Sequence, residues 1–413
     1  MSELSNIERI TEKMSYDYHQ MQHFITESPW DSREVLDKVS HNVSRFLPKR
    51  KLTGLLIDET GIEKKGDHSV GVGHQYCGNV GKTCNSQVAV LGCLSNGDFA
   101  SPVDARLYLP IDWCKDSARC DVAGIPESER EFKTKPRIAL EIVRHQLNLG
   151  RRFEFVGGDG LYGNDVNLTE GIEELGLVYM LDIHSDQPVY LERPQLIVPP
   201  KKGKGGRTPT KLKPDVEKIK VNQYMKSLSE EEWVHIAVRN TAKGELTGDY
   251  HFKQVYIWDK AHSNRILGRL LVIRRTENNN GDFEYKYSFT NANLEQYTRK
   301  AIAYMQAQRF FVEHCIKESK QILGFDQFQT RKWISWNHQT ALNFLVSSFI
   351  LKEKLDAIDD IPLLSARDIK ELLVFKLYKQ MTDEQMYQRL FIRHEKRQKD
   401  INFAYQKQHF LIC

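Results

Sequence analysis

The stretch Leu55-Leu56-Ile57-Asp58-Glu59-Thr60 decides the fold. Three consecutive aliphatic residues are typical of a strand buried on both faces, because such a strand shows no alternation of apolar and polar residues. Asp58 ends the run. Burying a carboxylate is unfavourable unless a cation or hydrogen bonds compensate its charge. The stretch therefore predicts that Asp58 shares a cation with carboxylates from later parts of the chain.

The segments after this stretch predict an α/β core. Further short β-rich runs, separated by Gly or Pro, lie at residues 70–76, 87–94 and 103–109. Helices and strands then alternate at residues 136–149, 153–156, 167–175 and 178–183. This order is that of a ribonuclease-H-like mixed sheet flanked by helices. Such a core has three leading strands, so we expect one of the four leading candidates to be an addition or not a strand.

Five regions are predicted along the 413 residues. The core is split by a β-rich insertion, and helical regions lie at both ends of the chain. The regions are a helical N-terminal domain at 1–48, the first part of the core at 49–184, the insertion at 185–290, the second part of the core at 291–350 and a basic helical C-terminal region at 351–413. The N-terminal domain is expected either to cap the core or to bind DNA ends.

Basic residues are concentrated in one part of the insertion. Residues 199–213 carry six basic and no acidic residues, and their Pro and Gly content argues against a packed element. This segment is either a solvated linker or a loop that contacts phosphate groups. The candidates for DNA contact are Lys201, Lys202, Lys204 and Arg207.

Composition excludes several other classes of protein. No stretch approaches the ~20 apolar residues of a membrane span, and the N-terminus lacks a signal-peptide pattern, so we expect a soluble, cytoplasmic protein without membrane contact. The seven cysteines do not suggest a disulfide framework. His74, Cys77 and Cys84 form a weak alternative zinc set. Gly81-Lys82-Thr83 lacks the glycine that a phosphate loop requires, since Tyr76 stands at that position, so no ATP site is expected.

A long helix predicted over 294–323 carries the last group of candidate residues. Arg309, Glu313 and Lys320 are separated by four and seven residues, which places them on one helix face. Glu313 is thus a third carboxylate beside Asp58 and Asp159, which follows the strand at 153–156. Three carboxylates suit Mg²⁺ or Mn²⁺, and two such ions ~3.5–4 Å apart support in-line phosphoryl transfer.

These motifs resemble those of bacterial insertion-sequence transposases of the DDE class, in the cut-and-paste branch whose ribonuclease-H-like core is split by a β-strand insertion. The matching motifs are Leu56-Ile57-Asp58-Glu59-Thr60, Gly158-Asp159-Gly160-Leu161-Tyr162-Gly163 and Arg309-x3-Glu313-x6-Lys320. Three shorter stretches, at residues 75–78, 107–110 and 393–398, are also similar to that group. The resemblance extends along nearly the whole chain.

The resemblance implies a metal-dependent transposase. It implies that Asp58, Asp159 and Glu313 are catalytic and hold two Mg²⁺ or Mn²⁺ ions, while Arg309 and Lys320 contact DNA phosphates. The implied partners are double-stranded DNA, as terminal inverted repeats and as target DNA, and a second copy of the chain in a synaptic complex. Related sequences have Tyr three residues before the arginine, whereas this chain has Gln306, so the resemblance leaves a hairpin step open.

Two other functions are alternatives to transposition for this sequence. One is a nuclease with the same core that cleaves without strand transfer, and the other is a domesticated DNA-binding protein that has lost catalysis. Trp233 and Trp258 in the insertion are expected to pack in its core, with stacking on an extruded base as the alternative.

Overall fold

The computed structural model describes most of the chain. The described ranges are 16–49, 51–78, 80–200, 209–241, 244–261, 264–278, 280–327 and 329–377, together with isolated positions before 12 and after 381. Lys201, Lys202, Lys204 and Arg207 lie outside the described residues, as do Arg389, Arg393, Lys396 and Arg397 of the C-terminal basic region. Their DNA contacts therefore stay predictions.

The core is built from strands and helices close to those predicted. Its strands are β1 Gly54–Glu63, β2 Gly73–Cys77, β3 Lys82–Asn96, β4 Phe99–Leu107, β5 Phe155–Gly158 and β6 Val178–Asp182. The helices up to β6 are α1 Tyr18–Thr26, α2 Ser32–Phe46, α3 Ile111–Lys115, α4 Ser117–Ala123, α5 Lys135–Asn148, the single turn α6 Gly160–Gly163 and α7 Val166–Glu174. Strand β5 begins two residues later than predicted, because its pairing with β1 starts at Phe155.

The core strands have the order predicted for a ribonuclease-H-like sheet. Strand β1 is antiparallel to β3, and β3 is antiparallel to β4. On its other side β1 is parallel to β5, which is parallel to β6. Strand β2 pairs with the first residues of β3 outside this arrangement and is the expected addition. Leu55, Leu56 and Ile57 are at most 1% exposed, which confirms that β1 is buried on both faces.

The inserted strands extend the core sheet. Residues 188–220 contain two short strand pairs formed by β7 Pro188–Val189, β8 Leu196–Ile197, β9 Lys213–Pro214 and β10 Ile219–Lys220, and helix α8 spans Val221–Met225. The longer strands are β11 Val234–Thr241, β12 Gly244–Asp259, β13 Arg265–Glu277 and β14 Phe283–Thr290. Within the described residues they pair in sequence, and β14 is antiparallel to β6, so that ten strands form one sheet. The insertion interrupts the core in sequence but continues its sheet in space.

The long helix predicted over 294–323 is two helices. Helix α9 spans Arg299–Gln308 and α10 spans Phe310–Gln321, with Arg309 between them. Thr298 begins α9 by accepting a hydrogen bond at its Oγ1 from the Ala301 amide at 3.2 Å, which explains the late start. Two further helices follow, α11 Trp333–Asp356 and α12 Ala366–Leu377. In the described part of the chain, no helix is long and apolar enough to span a membrane.

The N-terminal helices pack on the core. Helix α2 lies against β4 and α11 and buries Leu36, Val39 and Val43. His338 on α11 stacks on Trp30 with ring centroids 3.7 Å apart, and its ring nitrogens are 2.9 Å from the carbonyl oxygens of Ile25 and Trp30. These contacts favour the capping interpretation of this region, while its DNA contacts stay a prediction.

Candidate functional site

Two of the predicted carboxylates are brought together by the sheet register. Strands β1 and β5 are parallel, and Leu56 lies opposite Gly157. Continuing this register by two residues sets Asp58 beside Asp159. Asp58 lies in the middle of β1, which continues to Glu63, while Asp159 directly follows β5, and the charge of Asp159 acts on Asp58. The tertiary structure thus places Asp58 and Asp159 side by side.

Asp159 also begins the helical turn α6. Its Oδ1 accepts a hydrogen bond from the Leu161 amide at 2.9 Å. The turn lies close to β6, since a Cβ at Gly163 would come within 2.0 Å of the Asp182 carbonyl oxygen. Only glycine fits this approach. The cap and the close packing together fix the direction of the Asp159 side chain.

Glu313 and Arg309 complete the site from the late helices. An ion pair joins Arg309 Nη2 and Glu313 Oε1 at 2.8 Å, and the Glu313 side chain is 51% exposed. The Arg309 guanidinium acts electrostatically on Asp58 and Asp159 as well as on Glu313. The predicted carboxylates therefore lie around one arginine, beside the middle of β1 and the residue that follows β5.

Asp182 is a fourth carboxylate that sequence reasoning did not assign. It ends β6, and its Oδ2 lies 2.8 Å from Arg309 Nε. Leu181 lies opposite Gly158, so the same register sets Asp182 beside Asp159. The signal was present in the sequence, because Val178-Tyr179-Met180-Leu181-Asp182 repeats the pattern of an apolar strand ending in aspartate.

The electrostatics of the site disfavour a charged Asp58. Desolvation, and next the negative charge of Asp159, raise the pKa of Asp58 to about 7, although the Glu59 amide donates a hydrogen bond to Asp58 Oδ1 at 2.7 Å. Arg309 lowers this pKa and Glu313 raises it. Burial also raises the pKa of Asp182, against the effects of Arg309 and Ser288. The site holds more negative charge than Arg309 alone neutralises.

These residues fit a divalent cation. The donors are carboxylate oxygens, which Mg²⁺ and Mn²⁺ prefer, and burial together with the neighbouring charge of Asp159 raises the pKa of Asp58, an effect that a bound cation would oppose. In the conformation seen here, Glu313 is paired with Arg309, and no three His, Cys, Asp or Glu side chains of the described residues already form a metal-holding group. As a metal ligand, the role that the resemblance implies, Glu313 would turn from Arg309 toward Asp58 and Asp159.

Lys320 points into the protein. Its Nζ donates a hydrogen bond to the Gly61 carbonyl oxygen at 2.8 Å, and the residue is only 7% exposed. Burial lowers the pKa of the Lys320 ammonium group. The phosphate contact implied by the resemblance would require Lys320 to leave this bond.

We expect Lys320→Met to leave the salt dependence of DNA binding unchanged while lowering the free energy of unfolding by about 1 kcal/mol through loss of one hydrogen bond. Fluorescence anisotropy on a DNA duplex over a range of salt concentrations, with thermal unfolding, measures both quantities. The exposed Lys317 on the same helix, changed to Met, is the matched control. If the salt slope fell by about 0.9 in Lys320→Met but not in Lys317→Met, Lys320 would contact a DNA phosphate in the complex.

The two tryptophans of the insertion differ in their surroundings. Trp233 packs beside Tyr285 with the Arg275 guanidinium 4.5 Å from its ring centroid, as expected for a packing role. Trp258 donates a hydrogen bond from Nε1 to Asn264 Oδ1 at 2.9 Å and lines a cleft of about 770 Å³ next to Gly163. Base stacking by Trp258 stays a prediction.

The alternative zinc set is wrong for a geometric reason. His74 and Cys77 are three residues apart on β2, and side chains separated by an odd number of residues lie on opposite faces of a strand. The His74 residue is exposed and Cys77 is buried. They cannot bind the same ion.

Comparisons with known proteins agree with the geometry. The sequence family described as DDE superfamily endonuclease matches residues 2–245, which include Asp58 and Asp159 but not Glu313. The probable transposase for insertion sequence element IS701 of Microchaete diplosiphon is 33% identical over 172 residues, 41% of this chain and 41% of that protein. The chain thus aligns with about two fifths of that relative's length.

A solved structure, the cryo-EM structure of the piggyBac transposase synaptic complex with hairpin DNA, is similar over 82% of this chain and 54% of that chain. The TM-score is 0.37 and the sequence identity is 12%.

Proposed function

The chain belongs to the DDE superfamily of endonucleases, and from this premise we propose that it is an insertion-sequence transposase. It cleaves DNA at the terminal inverted repeats of its element and transfers the freed 3′ ends into target DNA. The observation that carries the proposal is the convergence of Asp58, Asp159 and Glu313 around Arg309. The similarity to the IS701 transposase supports strand transfer over simple cleavage.

The carboxylates have distinct roles in this proposal. Asp58 and Asp159 form the fixed part of the metal site, since Asp58 lies within β1 and Asp159 directly follows β5, and Glu313 closes the site from α10. These three carboxylates would hold two divalent ions, which would supply activation of the attacking water or 3′-hydroxyl and stabilisation of the leaving oxygen. Arg309, at the mouth of the site, holds a phosphate oxygen next to the scissile bond.

Two further basic residues extend this phosphate-binding surface. Arg274 on β13 lies opposite Lys286 on β14, and both act electrostatically on Asp182. Lys286 is exposed, Arg274 is partly exposed, and Lys286 also lies in the field of Arg309 and Glu313. We propose that the DNA backbone crosses the sheet here on its way to the carboxylates, and that the basic residues of 201–207 also contact DNA.

The double substitution Arg274→Ala with Lys286→Ala should weaken DNA binding and lower its salt slope by about 1 to 2, since each lost phosphate contact removes about 0.9. Fluorescence anisotropy on a terminal-repeat duplex at several salt concentrations gives the slope. Lys115→Ala, which removes an exposed lysine of α3, is the control and should leave the slope unchanged. An unchanged slope in the double variant would place the DNA elsewhere.

A strand-transfer assay tests the proposed function. The full chain is incubated with a labelled terminal repeat, Mg²⁺ or Mn²⁺ and a target plasmid, and products are separated on a denaturing gel. We expect joined product. Cut product alone would indicate a nuclease, and a bound complex without cleavage would indicate a DNA-binding protein that has lost catalysis.

Two ends must be joined, so we also propose that a homodimer acts in the synaptic complex.

A further inference from the structure

Arg309 is held from two sides in the candidate site. Its Nη2 lies 2.8 Å from Glu313 Oε1, and its Nε lies 2.8 Å from Asp182 Oδ2. The Asp182 side chain is 17% exposed and Glu313 is 51% exposed. The guanidinium therefore has one partner inside the protein and one that faces solvent on a helix.

The inner partner is fixed by residues of other elements. Asp182 Oδ1 accepts a hydrogen bond from Ser288 Oγ at 2.6 Å, and Ser288 lies opposite Asp182 in the pairing of β14 with β6. Gln306 Nε2 donates to Ser288 Oγ at 2.8 Å, and Gln306 is 4% exposed. Gln306, at the position where related sequences have Tyr, thus belongs to an interior hydrogen-bond chain that ends at Asp182.

We propose that Asp182 is a positioning residue of the metal site: it retains Arg309, so that Glu313 can leave the guanidinium and turn to the divalent ion. The inference rests on the proposed function for the identity of that site. Asp182 itself touches neither metal nor DNA in this account. Its effect reaches the site only through Arg309.

The physical reason is competition for Glu313. A buried guanidinium without a close carboxylate is strongly disfavoured, so an Arg309 held by Glu313 alone would resist losing it. With Asp182 in place, Arg309 keeps one ion-paired carboxylate, 2.8 Å from its Nε, after Glu313 moves. A divalent ion then takes the Glu313 carboxylate from an arginine that still has an ion-pair partner. The affinity of the site for the ion is therefore higher than it would be without Asp182.

A double-mutant cycle separates this account from a direct role of Asp182. Asp182→Asn keeps the shape of the side chain and the bond from Ser288 but removes the charge. If Asp182 were a ligand, or acted only through its field, its removal would weaken metal binding whether or not Arg309 is present. If it acts by retaining Arg309, the effect disappears once Arg309 is replaced by Gln.

The experiment measures Mn²⁺ binding by electron paramagnetic resonance on the full chain without DNA. The variants are D182N, R309Q and the double variant, with far-UV circular dichroism to verify folding. We expect D182N to weaken Mn²⁺ binding about tenfold in the wild-type background and less than about twofold in the R309Q background. Ser288→Ala, which frees Asp182 without removing its charge, should weaken binding to a smaller extent. Glu173→Gln, which removes the partner of buried Arg269 at 2.9 Å, should not change it.

Equal effects of D182N in both backgrounds would overturn the proposal, and so would no effect in either. If D182N did not fold, Ser288→Ala measured in both backgrounds would decide by the same criterion. These results are distinct from failure of the proposed function. A wild-type chain that binds Mn²⁺ but gives no cleaved or joined DNA contradicts the function alone, whereas a wild-type chain that binds no Mn²⁺ contradicts both.

Discussion

Asp58→Asn is expected to reduce DNA cleavage by roughly 10³-fold or more, a loss of about 4 kcal/mol in transition-state stabilisation. Asp58 is the carboxylate of β1 that lies beside Asp159, and Asn is a poor ligand for a divalent cation. The substitution is nearly isosteric, and Asn can still accept the hydrogen bond from the Glu59 amide. The loss would therefore reflect chemistry and not unfolding.

The same substitution should stabilise the metal-free protein at neutral pH. The pKa of Asp58 is raised from 3.8 to about 7 in the folded protein, so that the native state binds more protons than the unfolded state between these values. The contribution of protonated Asp58 to the free energy of unfolding is fully present below the unfolded-state pKa and is lost as the pH rises through the folded-state pKa. The asparagine side chain of the D58N variant does not titrate, so this loss is absent there.

The size of the gain follows from the shift. At about 1.4 kcal/mol per pKa unit, with an allowance for the partial exposure of Asp58, we expect D58N to gain on the order of 2 to 3 kcal/mol at about pH 8 and almost nothing near pH 4. Thermal unfolding in EDTA at both pH values measures it. Addition of Mn²⁺ should raise the melting temperature of the wild type but not of D58N.

Asp104→Asn is the informative control. Asp104 is fully buried, but its Oδ1 pairs with Arg33 Nη1 at 2.7 Å, so its charge is compensated. Removing it should destabilise the protein at neutral pH, the opposite sign to D58N. If both substitutions destabilised the metal-free protein equally, Asp58 would be an ordinary paired carboxylate whose charge the protein itself compensates.

Glu313→Gln is the second substitution with a large expected effect. We expect cleavage to fall by roughly 10³-fold, because the helix loses its only carboxylate that acts on Asp58 in the described structure. Gln has nearly the shape of Glu, and the Glu313 side chain is 51% exposed, so the local fold should persist. A cleavage assay on a labelled terminal repeat and the Mn²⁺-induced thermal shift measure the chemistry and the metal binding separately.

Glu318→Gln on the same helix provides the matched control. Glu318 Oε1 accepts a hydrogen bond from Lys354 Nζ at 3.0 Å, away from the carboxylates of the site, and its loss should change cleavage only slightly. If Glu313→Gln kept most of the cleavage activity, Glu313 would not be a ligand. Asp182 would then become the third carboxylate to examine, since it lies at the same edge of the sheet.

Much of the core could be predicted because its signals are local. An uninterrupted aliphatic run marks β1, a capping threonine and a proline mark the start of α5, and glycines follow β5 and permit the turn at Asp159. The extra strand was foreseen but not identified, because β2 has the same local composition as a core strand. Strand β2 pairs with the first residues of β3, and this pairing between strands is not encoded in the periodicity of the sequence.

The sequence by itself determined which apolar runs form strands and which carboxylates follow those runs, since these patterns need only neighbours in the chain. Only the tertiary structure decided that β14 pairs with β6 and brings Ser288 to Asp182, that Asp182 faces Arg309, and that Lys320 turns inward to Gly61. These contacts join residues about a hundred or more positions apart in the chain. Helical spacing places a residue on a face, but what that face meets is set by long-range packing.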